Sequence, residues 1–365
     1  MSEPLFEAAQ HQIRNGQFAD AVATLWRLLD QEPAHFDGLR LLGHLLELQG
    51  HPDEAVLVYQ AAMAINPGHA EPWTRRAVLL LRKQFGPIPT PRPAPQGDRL
   101  TMTTLGMNGR FANQLMQYAH VRLYAEEFGI GIEVPEWPGR FLFDFDDALP
   151  SGRRLPQITE PGTEFIQSMN REVATSFANC NLWGYFEYPT SGLRPFRDRF
   201  RALYRPGRRV ADAVATFLSQ LRQRGETVVA IHLRRTDVSE GDRGIGPESG
   251  YQQWLERIWP TLDRPVLYIA SDDPEPVVGQ FAAYHPVTMT DLATPIPGAE
   301  FYLDFCALSH AHRLAIAHST FSFTAAMLNE VATEFVRPCF PENRLVPFDP
   351  WNAEIRLTNS LSTLV

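Results

Sequence analysis

The stretch ETVVAIHLRR, residues 226–235, decides how this chain is built. Between Gly225 and the arginine pair lies a run of eight residues, mostly apolar, with no helical period. That is the pattern of a strand buried on both faces. A helical pattern follows, GYQQWLERIWPTL (250–262), and then a second buried strand, RPVLYIAS (264–271). DFCALSHAHRLAIAHS (304–319) reads as a helix running into a strand, and STFSFTAAMLNEV (319–331) opens a further helix on a Ser/Thr cap. Short apolar runs alternating with helices predict a parallel sheet covered on both faces.

The same texture begins further upstream. LTMTTL (100–105) reads as a strand, LMQYAHVRLYAEEFG (115–129) as a helix and GIGIEV (129–134) as a second short strand. A break near residues 190–215 separates the two stretches. The expected architecture is α/β, with two doubly wound, Rossmann-like domains facing one another over residues 99–205 and 206–365. Ligands in such sheets sit at the carboxyl ends of the strands, so chemistry is sought in the segments just after them.

Ahead of these domains the texture is all-α and repetitive. Gly16 and Gly50 are 34 residues apart, as are Ala21 and Ala55, and Pro33 and Pro67. That is the tetratricopeptide period, and Leu42-Gly43, Leu46, Gly50, Ala55, Tyr59, Ala62 and Pro67 fit the second copy position by position. A truncated third unit follows at about residues 71–83. Residues 1–86 are therefore assigned to tetratricopeptide repeats that bind a protein partner or self-associate. Five prolines between 87 and 95 mark residues 87–98 as a stiff, extended linker.

Composition narrows the function. The chain carries 33 basic and 42 acidic side chains, a net charge of −9, which argues against a general nucleic-acid binder. Lys83 is the only lysine, so a Walker phosphate loop and most kinase signatures are excluded, and any phosphate must meet arginine or backbone N–H groups. The three cysteines form no C-x-x-C pair. No apolar run reaches the roughly 18 residues of a membrane helix, and the N-terminus lacks a signal-peptide pattern, so a cytoplasmic location is expected.

Three strand ends share a polar character. Arg234-Arg235-Thr236-Asp237 follows the first, Ser271-Asp272-Asp273 the second and Ser319-Thr320-Phe321-Ser322 the third. A guanidinium pair suits a diphosphate, and a helix start adds N–H groups and a positive dipole end. The aspartates suit a sugar hydroxyl or a guanine edge. Together they describe a nucleoside-diphosphate site without a metal.

At this point the residues resemble a family. IHLRRTDV (231–238), YIASDDPE (268–275) and STFSFTAAMLN (319–329) resemble the three C-terminal motifs of the α-1,2-, α-1,6- and protein O-fucosyltransferase superfamily. GRFANQLMQYA (109–119) is similar to a signature of the α-1,2 branch, and WGYFEYPTSGLRPFRDRF (183–200) to a segment between the halves. The resemblance implies a GT-B pair of domains and inverting, metal-independent transfer of fucose from GDP-fucose to a glycan hydroxyl, α-1,2-like. It needs no cofactor beyond the donor substrate. Arg234 would hold the β-phosphate, His232 and Asp272 the guanosine, and Ser319, Thr320, Phe321 and Ser322 the diphosphate, with Arg235 beside them. Gly109, Asn113 and Gln114 would form the cleft of the N-terminal domain. For the general base the resemblance points first to Asp242, then to Glu240, with Asp237 bracing the loop or Arg235.

Two other readings compete. One is a protein O-glycosyltransferase, akin to O-GlcNAc transferase, whose repeats bind a polypeptide acceptor. The other is a non-catalytic repeat protein with a relic transferase half. The acidic run Asp144–Asp147 imitates a manganese motif but lies far from the nucleotide segments, and no metal is expected. His310, His312 and His318 do not share a helical face. Seven arginines between 194 and 209 alternate with Phe196, Phe200 and Leu203, the pattern of a solvated helix. Every donor motif lies beyond residue 230, so the repeats are expected to stand outside the site.

Overall fold

The computed structural model describes residues 3–88, 90–235, 248–340 and 342–355. Helices α1 (Glu3–Arg14), α2 (Phe18–Gln31), α3 (Phe36–Leu48), α4 (Pro52–Ile65) and α5 (Ala70–Phe85) stack in sequence order. Gly16 and Gly50 occupy equivalent turns, with φ of +74° and +80° that L side chains rarely adopt. Gly43 lets the facing helix approach: a Cβ there would stand 2.6 Å from the Tyr59 ring. Leu25, Leu28, Leu42, Leu45 and Tyr59 fill the core between them.

Nine strands among the described residues form two sheets. β1 (Arg99–Thr101), β2 (Gly131–Glu133), β3 (Gln157–Thr159) and β4 (Cys180–Trp183) are parallel, in the order β2-β1-β4-β3. β5 (Thr227–Leu233), β6 (Pro265–Ser271), β7 (Arg313–Ala315), β8 (Glu334–Cys339) and β9 (Arg344–Pro347) follow the order β6-β5-β7-β8-β9. Only the β8–β9 pair in that sheet is antiparallel.

The apolar run before Arg234 is buried on both sides. Val228 and Ala230 enter one cluster with Tyr268 and Leu314. Val229, Ile231 and Leu233 enter another with Tyr251, Trp254 and Leu255 of helix Glu248–Ile258. Strand alternation sends successive side chains to opposite faces, so one segment anchors two layers. Each such aliphatic or aromatic side chain stabilises by about 1.5–3 kcal/mol when withdrawn from water.

The first of these clusters is continuous through both sheet units and also includes Val78 and Leu81 of α5. Leu79, on the same helix, belongs to the repeat core. The final repeat helix is therefore shared between two cores. The proline-rich segment is tied to the fold at Arg92 and Pro87. Arg92 donates its amide to Asp146 O at 2.7 Å and pairs with the Asp146 carboxylate at 3.0 Å, and Arg209 reaches Pro87 O at 2.9 Å.

The arginine-rich stretch between the sheets is bound into the fold as well. Helix Arg197–Leu203 carries Arg199, paired with Glu126 and Glu127 at 3.1 Å, and Arg201, which donates to Met327 O and Asn329 O. The expectation of a solvated helix missed these caps because their acceptors are distant in sequence. The chain's last described segment returns to the first sheet unit: Thr190 and Ala353 exchange hydrogen bonds of 3.0 and 3.1 Å. Among the described residues no helix is long and apolar enough to cross a membrane.

Candidate functional site

The carboxyl ends of β5, β6 and β7 open into a cleft of about 680 Å³ between the two sheet units. His232 and Arg234 alternate with Leu233 along the end of β5, so both point the same way. Both line the cleft, together with Ser271 and Asp272 from the end of β6 and Ser319, Thr320 and Phe321 after β7. Of the first unit, Gly109, Arg110, Asn113 and Gln114 line the opposite wall.

Each group at the strand ends is held from behind. Ser319 caps helix Thr320–Leu328, its hydroxyl accepting the Phe321 amide at 3.2 Å. Its backbone is extended, as an N-cap requires, and the helix start it forms lines the cleft. Thr320 donates to Glu187 at 3.2 Å, tying that helix start to the segment between the halves. His232 is buried, its Nδ1 2.8 Å from Ser322 Oγ and its ring 5.3 Å from Phe321. Desolvation lowers its pKa to about 4; Arg234 adds to the shift and Asp272 opposes it. The imidazole is thus neutral at pH 7.

Two expected site residues stand behind the cleft surface. Ser322 is fully buried beneath His232. Arg235 sends its backbone amide to Asp272 Oδ1 at 2.6 Å, while its side-chain charge acts on buried Tyr251 on the other face of the strand. The base candidates Asp242 and Glu240, and Asp237 with them, lie outside the described residues.

On the opposite wall, Gly109 has φ +70° and packs so closely on Asn113 that no Cβ fits. Gln114 is buried, and its Nε2 donates to Thr74 Oγ1 at 2.7 Å and to Gly109 O at 3.2 Å. Arg110 precedes helix α6 (Phe111–Phe128) and stacks its guanidinium 5.2 Å from the Trp73 ring centre. Desolvation lowers its pKa, Arg234 adds to this, and Asp272 partly offsets it. Two guanidiniums from different units therefore act on each other across the cleft, with one carboxylate beside them.

Sequence reasoning passed over several of these groups. Arg110 was visible as the second residue of GRFANQ, but nothing local says that it faces Arg234. Asp304 sits on the helix Tyr302–Ser309 and lines the cleft, accepting the Tyr268 hydroxyl at 2.5 Å. Its pKa is pushed up to about 7 by desolvation, which the Tyr268 hydrogen bond partly opposes. Trp73, Thr74, Arg76 and Ala77 of α5 also line the cleft, and Arg76 pairs with Glu300 at 3.2 Å. The repeats do not stand outside the site; their last helix is one of its walls.

The acidic run is committed elsewhere. Asp144 accepts the Arg208 amide at 2.7 Å, and Asp147 accepts Tyr118 and Arg122 at 2.6 Å each. His312 accepts the Val228 amide at 3.0 Å, and His310 approaches Cys306 O at 2.8 Å.

The comparisons with known proteins follow the two halves. A tetratricopeptide-repeat family model matches residues 36–79. No curated protein matches this sequence. Among solved structures the chain is similar to the fucosyltransferase NodZ from Bradyrhizobium, at 13% identity over 70% of this chain and 99% of that one, with a TM-score of 0.43. It is similar to Arabidopsis thaliana FUT1 in complex with GDP, at 12% identity over 84% of this chain and 92% of that one, with a TM-score of 0.46. A shorter likeness, to MamA, has 17% identity, covers 24% of this chain and half of that one, and has a TM-score of 0.23. At these values the fold rests on its own strand order, given above. Residues 36–79 are tetratricopeptide repeat, and beyond the repeat helices the chain continues as a GT-B-like pair of parallel-sheet units facing across a cleft.

Proposed function

We propose that this protein is an inverting glycosyltransferase that moves fucose from GDP-fucose to a hydroxyl of a glycan acceptor, without a metal. One observation carries the reading: Arg110 and Arg234 converge with the N-terminus of helix Thr320–Leu328 in a cleft flanked by carboxylates. Departing GDP concentrates negative charge on its β-phosphate. Two guanidiniums and the N–H groups of a helix start neutralise that charge where a metal would act in other transferases. One such pre-aimed donor is worth about 3 kcal/mol of barrier.

The nucleoside end has its own complement. Guanine presents an N–H and an amino group side by side, which suits a recessed carboxylate; Asp304 and Asp272 are the cleft carboxylates on that side. Neutral His232 offers one further donor or acceptor to the guanosine. Asn113 and Gln114 face the sugar from the other unit. Breaking the C1–O bond leaves an oxocarbenium-like carbon, which the acceptor hydroxyl attacks from the opposite side, inverting the centre. The hydroxyl proton passes to a carboxylate beyond the arginines, Asp242 in this reading and Glu240 as second choice.

An α-1,2-like linkage to a glycan is the leading form. A polypeptide acceptor is the second reading, favoured by the repeat helix that walls the cleft. Calorimetric titration of GDP, GDP-fucose, GDP-mannose and UDP-GlcNAc in the presence of EDTA tests the donor. Binding of GDP and GDP-fucose is expected. Binding of UDP-GlcNAc alone, or loss of GDP binding with EDTA, would overturn the proposal.

A further inference from the structure

The cleft wall supplied by the repeats touches the transferase at a specific point, the loop that presents Arg110. Trp73 lies against the Arg110 guanidinium, 5.2 Å from ring centre to charge. The indole is itself fixed, because its Nε1 donates to Pro67 O at 3.1 Å in the turn before α5. One residue further on, Thr74 accepts Gln114 Nε2 at 2.7 Å, and Gln114 in turn donates to Gly109 O at 3.2 Å. At the start of the same loop, Gly106 leaves room for Thr74: a Cβ there would stand 2.7 Å from its methyl group. Two adjacent residues of one repeat helix thus hold the arginine loop at three places, one on the arginine itself.

We infer that Trp73 and Thr74 are positioning residues for transfer, holding Arg110 where it faces the leaving diphosphate, so that the last repeat helix is a working part of the transferase. The inference rests on the donor reading above. A planar cation on an aromatic face keeps its charge while losing rotamer freedom. An arginine restrained in this way is already aimed when charge develops on the β-phosphate, and its alignment costs nothing during the reaction. The consequence is a split between rate and binding. Loosening Arg110 lowers kcat more than it raises KM, because the arginine still reaches the bound diphosphate but is less often aligned with the charge of the transition state.

The test uses the full chain and the variants Trp73→Phe, Trp73→Leu, Thr74→Val and Thr74→Ser, with Trp26→Ala as a control. Trp26 is exposed on α2 within the same repeats. Hydrolysis of GDP-fucose, GDP affinity and melting temperature are measured for each. Trp73→Leu is expected to lower kcat by about 10-fold with a smaller change in KM, in line with the loss of one desolvated cation–aromatic contact. Thr74→Val should lower it by a similar factor, because it leaves the buried Gln114 amide without its acceptor. Trp73→Phe and Thr74→Ser should recover most of the rate. Unchanged kcat per GDP-binding site in Trp73→Leu and Thr74→Val, whatever their melting temperatures, would overturn the inference.

A second readout does not need activity. With arginine side chains labelled by nitrogen-15, Arg110 Nε–H should show an upfield ring-current shift that Trp73→Leu abolishes. If wild type fails to bind GDP, the donor reading falls, and this resonance still decides whether Trp73 holds Arg110. An unshifted Arg110 signal in wild type would sink the inference alone.

Discussion

His232 Nδ1 rests 2.8 Å from Ser322 Oγ, a bond that spans 90 residues and joins the end of β5 to the helix after β7. It fixes the ring with only its far edge left for a ligand. The buried imidazole titrates at about 4, against 6.5 in an unfolded chain. Between those values the unfolded chain binds a proton that the native state refuses. The contribution is therefore complete above pH 6.5 and lost as pH falls toward 4. The melting temperature of His232→Gln should fall less than that of wild type between pH 7.5 and 4.5. Parallel pH profiles for the two proteins would contradict this.

Asp304 has the opposite sign. Its carboxyl holds its proton up to about pH 7, against 3.8 when unfolded. The native state binds more protons in that window, so stability declines as pH rises from about 4 to 7 and stays lower above it. Asp304→Asn escapes that cost and should melt higher than wild type at pH 8, an advantage that shrinks near pH 4. At pH 8, where the wild-type carboxyl is ionised, it should also bind GDP at least ~10-fold more weakly, by losing a charge-assisted acceptor. Melting curves at both pH values and a GDP titration check the pair of effects.

Arg234 and Arg235 carry equal charge on opposite faces of the chain, so geometry alone separates them. Arg234→Lys keeps the charge and loses the planar two-pronged contact. Turnover should fall ~100-fold or more, as on losing one oxyanion donor, with a smaller effect on GDP affinity. Arg235→Lys should mainly lower the melting temperature. An active Arg234→Lys beside a folded, inactive Arg235→Lys would reverse the assignment.

Removing residues 1–86 takes away Val78 and Leu81, which belong to the core continuous through both sheet units, along with the wall that carries Trp73 and Thr74. That truncation should lose its cooperative melting transition. Removing only the first repeat, residues 1–33, should leave GDP affinity within about 2-fold, since none of its residues lines the cleft. Calorimetry and thermal melting of both truncations give the answer.

What was legible in the sequence was whatever repeats or runs locally. Gly16 and Gly50 announce the repeat because each turn needs a left-handed residue at the same place. β5, β6 and the Ser319 cap show in short apolar runs and a hydroxyl before a helix. The first sheet was harder to read. LTMTTL contributes only its first two residues to the strand Arg99–Thr101, because residues 103–105 enter a turn. The missed site residues have no local mark. Asp304 looks like any polar residue of a buried helix until β6 brings Tyr268 against it. Trp73 looks like one more repeat aromatic until Arg110, 37 positions later, stacks on it.

The chain crosses between the two sheet units twice, through helix Arg197–Leu203 and again where Ala353 returns to Thr190. α5 fastens the free edge, with Thr74 on one lip through Gln114 and Arg76 on the other through Glu300. Parting Gln114 from Glu300 across the cleft must first break contacts made by a repeat helix, so the width of the cleft is set from outside the two sheet units.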